Sequence, residues 1–135
     1  MNSTIFPLML LLLIWPQQRP RITVTVEKPA TVYFYQTSRV LGSTAVSVDV
    51  DAVCRLETAS YCKVQIEPGK HMFATNREWW GNSFDLEAGK TYYFRLHVSA
   101  LGGGYVANVV LVDAGTGRDE LRGCTSADSK KRLGR

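Results

Sequence analysis

From residue 22 onward, apolar side chains fall on alternate positions in short runs separated by turn residues, which is the period of a half-buried β-strand. Ile22, Val24 and Val26 alternate with Thr23, Thr25 and Glu27 until Pro29 breaks the run. In residues 30–36, ATVYFYQ, Val32 and Phe34 share one face and Tyr33 and Tyr35 the other, and β-branched and aromatic side chains suit a pleated surface. Val46, Val48 and Val50 alternate with Ser47, Asp49 and Asp51, and a turn is expected at Asp51-Ala52. The clearest strand is 61–67, with Cys62, Val64 and Ile66 opposed to Lys63, Gln65 and Glu67. Pro68-Gly69 then specifies a reversal, because Pro fixes φ and Gly accepts a positive φ at the next position. Residues 70–75 return as a strand.

Residues 83–87 place Phe84 and Leu86 inward, and Ala88-Gly89 is a second reversal. In residues 91–98, Tyr92, Phe94, Leu96 and Val98 oppose Tyr93, Arg95 and His97. After Leu101-Gly102-Gly103-Gly104, the run YVANVVLV is apolar on both faces and reads as a central strand covered on each side. Residues 113–117 close it, and no helical stripe interrupts the pattern. The expectation is an all-β fold, an antiparallel β-sandwich of about seven or eight short strands, with a partly open barrel as the alternative. It spans residues 22–121, and residues 122–135 form a basic, disordered tail.

The N-terminal segment 1–21 has a different character. Residues 5–15, IFPLMLLLLIW, carry no charge and are too short to cross about 30 Å of hydrocarbon comfortably. They match the apolar centre of a secretory signal. No Lys or Arg precedes the run, no small-x-small cleavage site follows it, and Arg19 and Arg21 lie on its trailing side, where positive charge opposes translocation. Export to the periplasm is the expected address. The alternatives are a short inner-membrane anchor, with transient membrane association through residues 5–15, and a buried N-terminal element of a cytosolic protein.

A length of 135 residues, with 45% apolar and 21% charged side chains, allows one ordinary domain and excludes collagen, coiled coil and wholesale disorder. The net charge of +4 lies at the ends. Residues 22–117 hold eight Lys or Arg against nine Asp or Glu, so the folded body expected there offers no electrostatic footprint for nucleic acid.

The segments ATVYFYQ at 30–36, EPGKH at 67–71, LEAGKTYYFRL at 86–96 and LVDAGTGRDEL at 111–121 occur in an order that resembles the bacterial DUF2846 family, a domain of unknown function. The likeness covers roughly residues 30–121. It implies a small exported or lipid-anchored β-sandwich of the bacterial envelope and brings no catalytic residues. Many members carry a lipid-attachment cysteine after the signal; here the first cysteine is Cys54.

Candidate chemistry is sparse, and no enzymatic activity is expected. His71 and His97 are the only imidazoles, and no G-x-S-x-G elbow accompanies them. His71 reads as a partner of its turn and His97 as a solvated surface side chain. The three cysteines lack C-x-x-C spacing, so neither a metal site nor a cofactor is expected. A reversal about Thr58 would set Cys54 opposite Cys62 in a disulfide; the register pairing Leu56 with Tyr61 would leave them as two buried thiols. Cys124, in the basic tail, then remains free or joins a partner chain. Trp79 and Trp80, in a loop beside Arg77, Glu78 and Asn82, either cap the core, with one ring half exposed, or together with Tyr93 serve as ligand contacts, because flat rings stack on sugars.

Two functional classes follow. The first is a noncatalytic envelope module, structural or binding, for another envelope protein. The second is a carbohydrate or peptidoglycan binder using Trp79, Trp80 and Tyr93. A hydrolase built on Glu87, Arg95 and His97 is the third and weakest reading.

Overall fold

The computed structural model describes residues 27–39, 42–78 and 80–127. The apolar run 5–15 and most of the expected strand at 22–27 lie outside the described residues. Among the described residues, nine strands and one helix follow in the order β1 (Ala30–Gln36), β2 (Thr44–Val48), β3 (Asp51–Leu56), β4 (Ser60–Ile66), β5 (Gly69–Thr75), β6 (Asn82–Leu86), β7 (Thr91–Leu101), β8 (Gly104–Val112), α1 (Ala114–Leu121) and β9 (Thr125–Ser126). A five-stranded sheet, β8-β7-β1-β4-β9, packs on a four-stranded sheet, β3-β2-β5-β6. The architecture is therefore a β-sandwich with no closed barrel.

Alternation along the strands builds the core. Val32 and Phe34 from β1, Val46 and Val48 from β2, Phe73, Leu86, Phe94, Leu96 and Val109 turn inward, with Ile66 and Leu56 closing the layer. Phe73 is the hub of this packing. Its ring meets Phe34 at 5.2 Å and Phe94 at 4.8 Å edge to face, the arrangement that ring quadrupoles favour.

Five expectations are corrected. The five-stranded sheet is mixed, since β1 pairs with β7 in parallel (Thr31 with Thr91, Tyr35 with Arg95), as does β4 with β9. The link 87–90 crosses from the other sheet and enters beside the start of β1, where Thr31 N–H donates to the Lys90 carbonyl at 2.9 Å. Pro68-Gly69 and Ala88-Gly89 likewise change sheets, because β4 and β7 belong to one sheet and β5 and β6 to the other. The β2–β3 hairpin turns at Asp49 and Val50, both with positive φ, two residues before the expected position. Positive φ at both central residues matches the twist of the flanking strands, and Asp49 is anchored by accepting the Met72 N–H at 2.9 Å.

The other two corrections concern the C-terminal third. β8 is an edge strand, although its sequence is apolar on both faces. Its flank is occupied by the opposite sheet: Ala107 N–H donates to the Arg77 carbonyl at 3.2 Å, and Thr75 Oγ1 donates to the Ala107 carbonyl at 2.6 Å. The segment after residue 113 forms α1, capped by the Asp113 carboxylate accepting from Thr116 N–H at 3.0 Å. β9 then pairs with β4, so residues 122–126, assigned from sequence to the tail, belong to the fold. Residues 128–135 lie outside the described residues. No described helix is long and apolar enough to cross a membrane.

Candidate functional site

β7 has eleven residues, but its pairing with β1 ends at Arg95, so its second half forms a two-stranded ribbon with β8. The ribbon tip turns at Gly102 and Gly103, whose φ values of +58° and +85° lie in the region that favours glycine. Beside it runs the link from β5 to β6. Thr75 fastens that link at three points: its N–H donates to Glu78 Oε1 at 2.8 Å, its hydroxyl donates to the Ala107 carbonyl, and the same hydroxyl accepts Arg77 N–H at 3.1 Å. Gly81 lets the link lie flat on β5, since a Cβ there would sit 2.6 Å from the Phe73 carbonyl oxygen.

Between link and ribbon lies a pocket of about 250 Å³ lined by Glu78, Trp80, Ser99, Leu101, Val106 and Asn108. A wider hollow of about 550 Å³ adjoins it, sharing Glu78, Leu101 and Val106 and adding Arg77 and Tyr105. The rim is aromatic and apolar: Trp80 is 74% exposed, Leu101 67% and Tyr105 50%. Large apolar side chains gathered around a concavity, unlike those scattered singly, make this groove the candidate site.

The electrostatics centre on Glu78. Burial pushes its carboxyl above the usual range, against the lowering effect of the Thr75 N–H bond. Its Oε2 and the Nε of Arg77 are buried and have no hydrogen-bond partner among the described residues. Buried polar atoms are paired in the great majority of cases, so two orphans on one link are informative.

The sequence-derived candidates are distributed as follows. Trp80 is on the groove; Trp79 lies outside the described residues. Tyr93 is not with Trp80: it lies near the start of β7, 9% exposed, stacked on Tyr33 at 5.2 Å and covered by Gly117 of α1. The helix that hides it was not foreseen, and so its ring is unavailable to the groove. Cys54 and Cys62 are joined by a disulfide with Cα atoms 6.6 Å apart. They do not face each other across a hairpin ladder, because β3 pairs with β2 and β4 with β1; the bond ties one sheet to the other.

Glu87, Arg95 and His97 are not brought together. Glu87 pairs with Lys90 in the link before β7, Arg95 donates to Glu120 Oε1 at 2.7 Å, and His97 is exposed. Glu120 also accepts the Tyr35 hydroxyl at 3.2 Å, and burial together with that carboxylate pushes the phenol pKa upward. Cys124 Sγ lies 3.6 Å from the Glu120 carbonyl. His71 does partner its turn: Nδ1 bonds Asp49 Oδ2, and Nε2 lies 2.6 Å from the Glu67 carbonyl. The hydrogen bond to Asp49 raises the His71 pKa and lowers that of Asp49.

Glu78 was noted beside the tryptophans, whereas sequence reasoning missed Ser99, Tyr105, Val106 and Asn108 as site residues. The polar loop around the tryptophans pointed to one wall; the other comes from a hairpin twenty residues further on, which periodicity does not locate. Among the described residues no group of three or more His, Cys, Asp or Glu is placed to hold a metal ion.

Comparison with protein families matches residues 27–110 to the one described as Protein of unknown function (DUF2846). No curated protein matches the chain.

Proposed function

The chain belongs to the DUF2846 family of proteins of unknown function, and from that premise we propose that it is a noncatalytic binding module of the bacterial envelope. The groove between Trp80 and Tyr105 is its ligand surface. The observation that carries this reading is the exposed rim of Trp80, Leu101 and Tyr105 around a hollow whose wall includes Arg77 and Glu78, each with a buried polar atom that has no partner among the described residues. The groove has one carboxylate and, among the described residues, neither a second carboxylate nor an imidazole. Acid–base cleavage of a glycosidic bond ordinarily needs a pair of carboxyl groups. The apolar segment 5–15 and the Cys54–Cys62 disulfide support an exported, periplasmic address, because disulfides persist in oxidising compartments. Anchoring in the inner membrane through residues 5–15 is the alternative address.

A second reading, binding of a glycan, draws on Trp80 alone: its indole is the exposed flat ring, and Ser99 and Asn108 offer hydroxyl partners. Tyr93 takes no part in it.

Fractionation of a bacterium expressing the full chain, with intact mass before and after reduction, tests the address. The expected product is periplasmic and gains two hydrogens on reduction. A photo-crosslinking residue in place of Trp80 tests the surface, with the same residue at Val50 as control. The expected outcome is an envelope component captured at position 80 and not at position 50. A cytosolic product with three thiols, together with no capture at position 80, overturns the proposal.

A further inference from the structure

The groove's polarity specifies its ligand more narrowly, and the inference rests on the binding reading above. We infer that the pocket bounded by Glu78 and Trp80 receives a primary ammonium group on an aliphatic stem, the side-chain end of a lysine or another diamino acid within a peptide.

Four observations lead there. A carboxylate has roughly four acceptor sites, and Glu78 commits one oxygen to Thr75 N–H while Oε2 has no donor. Glu78 forms part of the pocket wall, so its carboxylate charge stands beside the cavity. An ammonium carries three donors and accepts nothing; Glu78, Ser99 and Asn108 supply three acceptors in the same lining. Ala100, Leu101 and Val106 provide apolar walls for methylene groups, which long cationic side chains bury readily. The indole of Trp80 is the ring with the strongest attraction for a cation at its face.

Charge and size agree. Among the described residues no Lys or Arg lines this pocket, and the Glu78 carboxylate is the one formal charge on its wall. Arg77 belongs to the adjoining hollow, where its unpartnered Nε can donate to a carbonyl or carboxylate of the same peptide. A volume of about 250 Å³ falls below the range of about 300–1,000 Å³ usual for whole small-molecule sites. It suits a side chain better than a sugar ring. The cost of holding Glu78 ionised out of water, evident in its raised pKa, is offset when a cation arrives.

Calorimetric titration of the full chain with Nα-acetyl-lysine N-methylamide tests the assignment, beside the norleucine amide and a chitin-derived oligosaccharide. Saturable binding of the lysine amide is expected, with the norleucine amide about tenfold weaker or worse, as for loss of a charged hydrogen bond. Glu78→Gln keeps an oxygen for Thr75 N–H but removes the charge; it should leave the thermal midpoint near wild type and weaken the lysine amide by about tenfold or more. Binding should also fall as the pH drops through the elevated Glu78 pKa. Equal affinity for the norleucine amide, undiminished binding by Glu78→Gln, no saturable binding, or binding of the oligosaccharide alone would each overturn the inference. Capture at position 80 that the lysine amide fails to displace defeats the ammonium assignment and leaves the binding module standing. The two proposals thus fail separately.

Discussion

Gly117 of α1 lies so close to Tyr93 of β7 that a Cβ on the glycine would stand 2.4 Å from the tyrosine Cγ. The helix thereby seals the aromatic outer face of the larger sheet. Gly117→Ala sets two effects against each other. Replacing Gly in a helix gains about 1 kcal/mol in propensity, whereas forcing a methyl group into a filled contact costs about 1–3 kcal/mol. The contact lies well inside van der Waals range and is with the root of a buried ring, so the second effect should win. The variant is expected to melt a few degrees lower and to expose Tyr93, read by thermal denaturation and near-UV circular dichroism.

Removing the inter-sheet bond should have a larger effect. Cys54 and Cys62 are eight positions apart, and closing so short a loop restricts the unfolded chain by about 2–3 kcal/mol in the chain-entropy description. Cys54→Ala with Cys62→Ala should lower stability by that order in urea denaturation. An unchanged midpoint would show that the bond contributes nothing to the sandwich.

The His71–Asp49 contact gives a pH dependence whose sign is fixed. His71 has a raised pKa when folded, so its contribution is full below the ordinary imidazole value of about 6.5 and is lost as pH rises through the folded value. Asp49 has a lowered pKa, so its contribution is present above about pH 4 and is lost as pH falls through the folded value. The contact, which ties the β2–β3 turn to β5, should stabilise most in the mildly acidic window between. The stability difference between wild type and His71→Gln should be larger near pH 5.5 than near pH 9. Equal differences at both would refute it.

Gly81 tests the geometry of the groove without touching its lining. A methyl group there would meet the Phe73 carbonyl oxygen at 2.6 Å and Met72 Cγ at 2.9 Å. Gly81→Ala should lift the link carrying Trp80 from β5, lowering the thermal midpoint and shifting tryptophan emission. Met72→Ala, which removes the flexible neighbour and leaves the carbonyl, should not restore either.

Period-two alternation was enough to place Val32, Phe34, Ile66, Leu86, Phe94 and Leu96 inside, because each belongs to a strand with one face on the core. It failed where burial depends on a distant segment. The run 105–112 is apolar on both sides yet lies at an edge, its flank covered by Thr75 and Arg77, which no local pattern announces. Tyr93 and Arg95 sit on the polar phase of β7 but are covered by α1. That helix contains Gly115 and Gly117, poor formers whose low propensity is outweighed by packing on Tyr93. Its one local signal was Asp113 three residues before Thr116. Half the groove was legible in the tryptophan loop; the ribbon opposite depends on how far β7 outruns β1.

The covering of β8 also bears on the behaviour of the protein at high concentration. A bare sheet margin recruits strands from other molecules and seeds fibres. Here the Ala107 amide and carbonyl are both engaged within the chain, and Asn82 Nδ2 reaches the Val109 carbonyl at 3.5 Å. A crowded compartment could therefore hold many copies side by side without this margin templating their polymerisation.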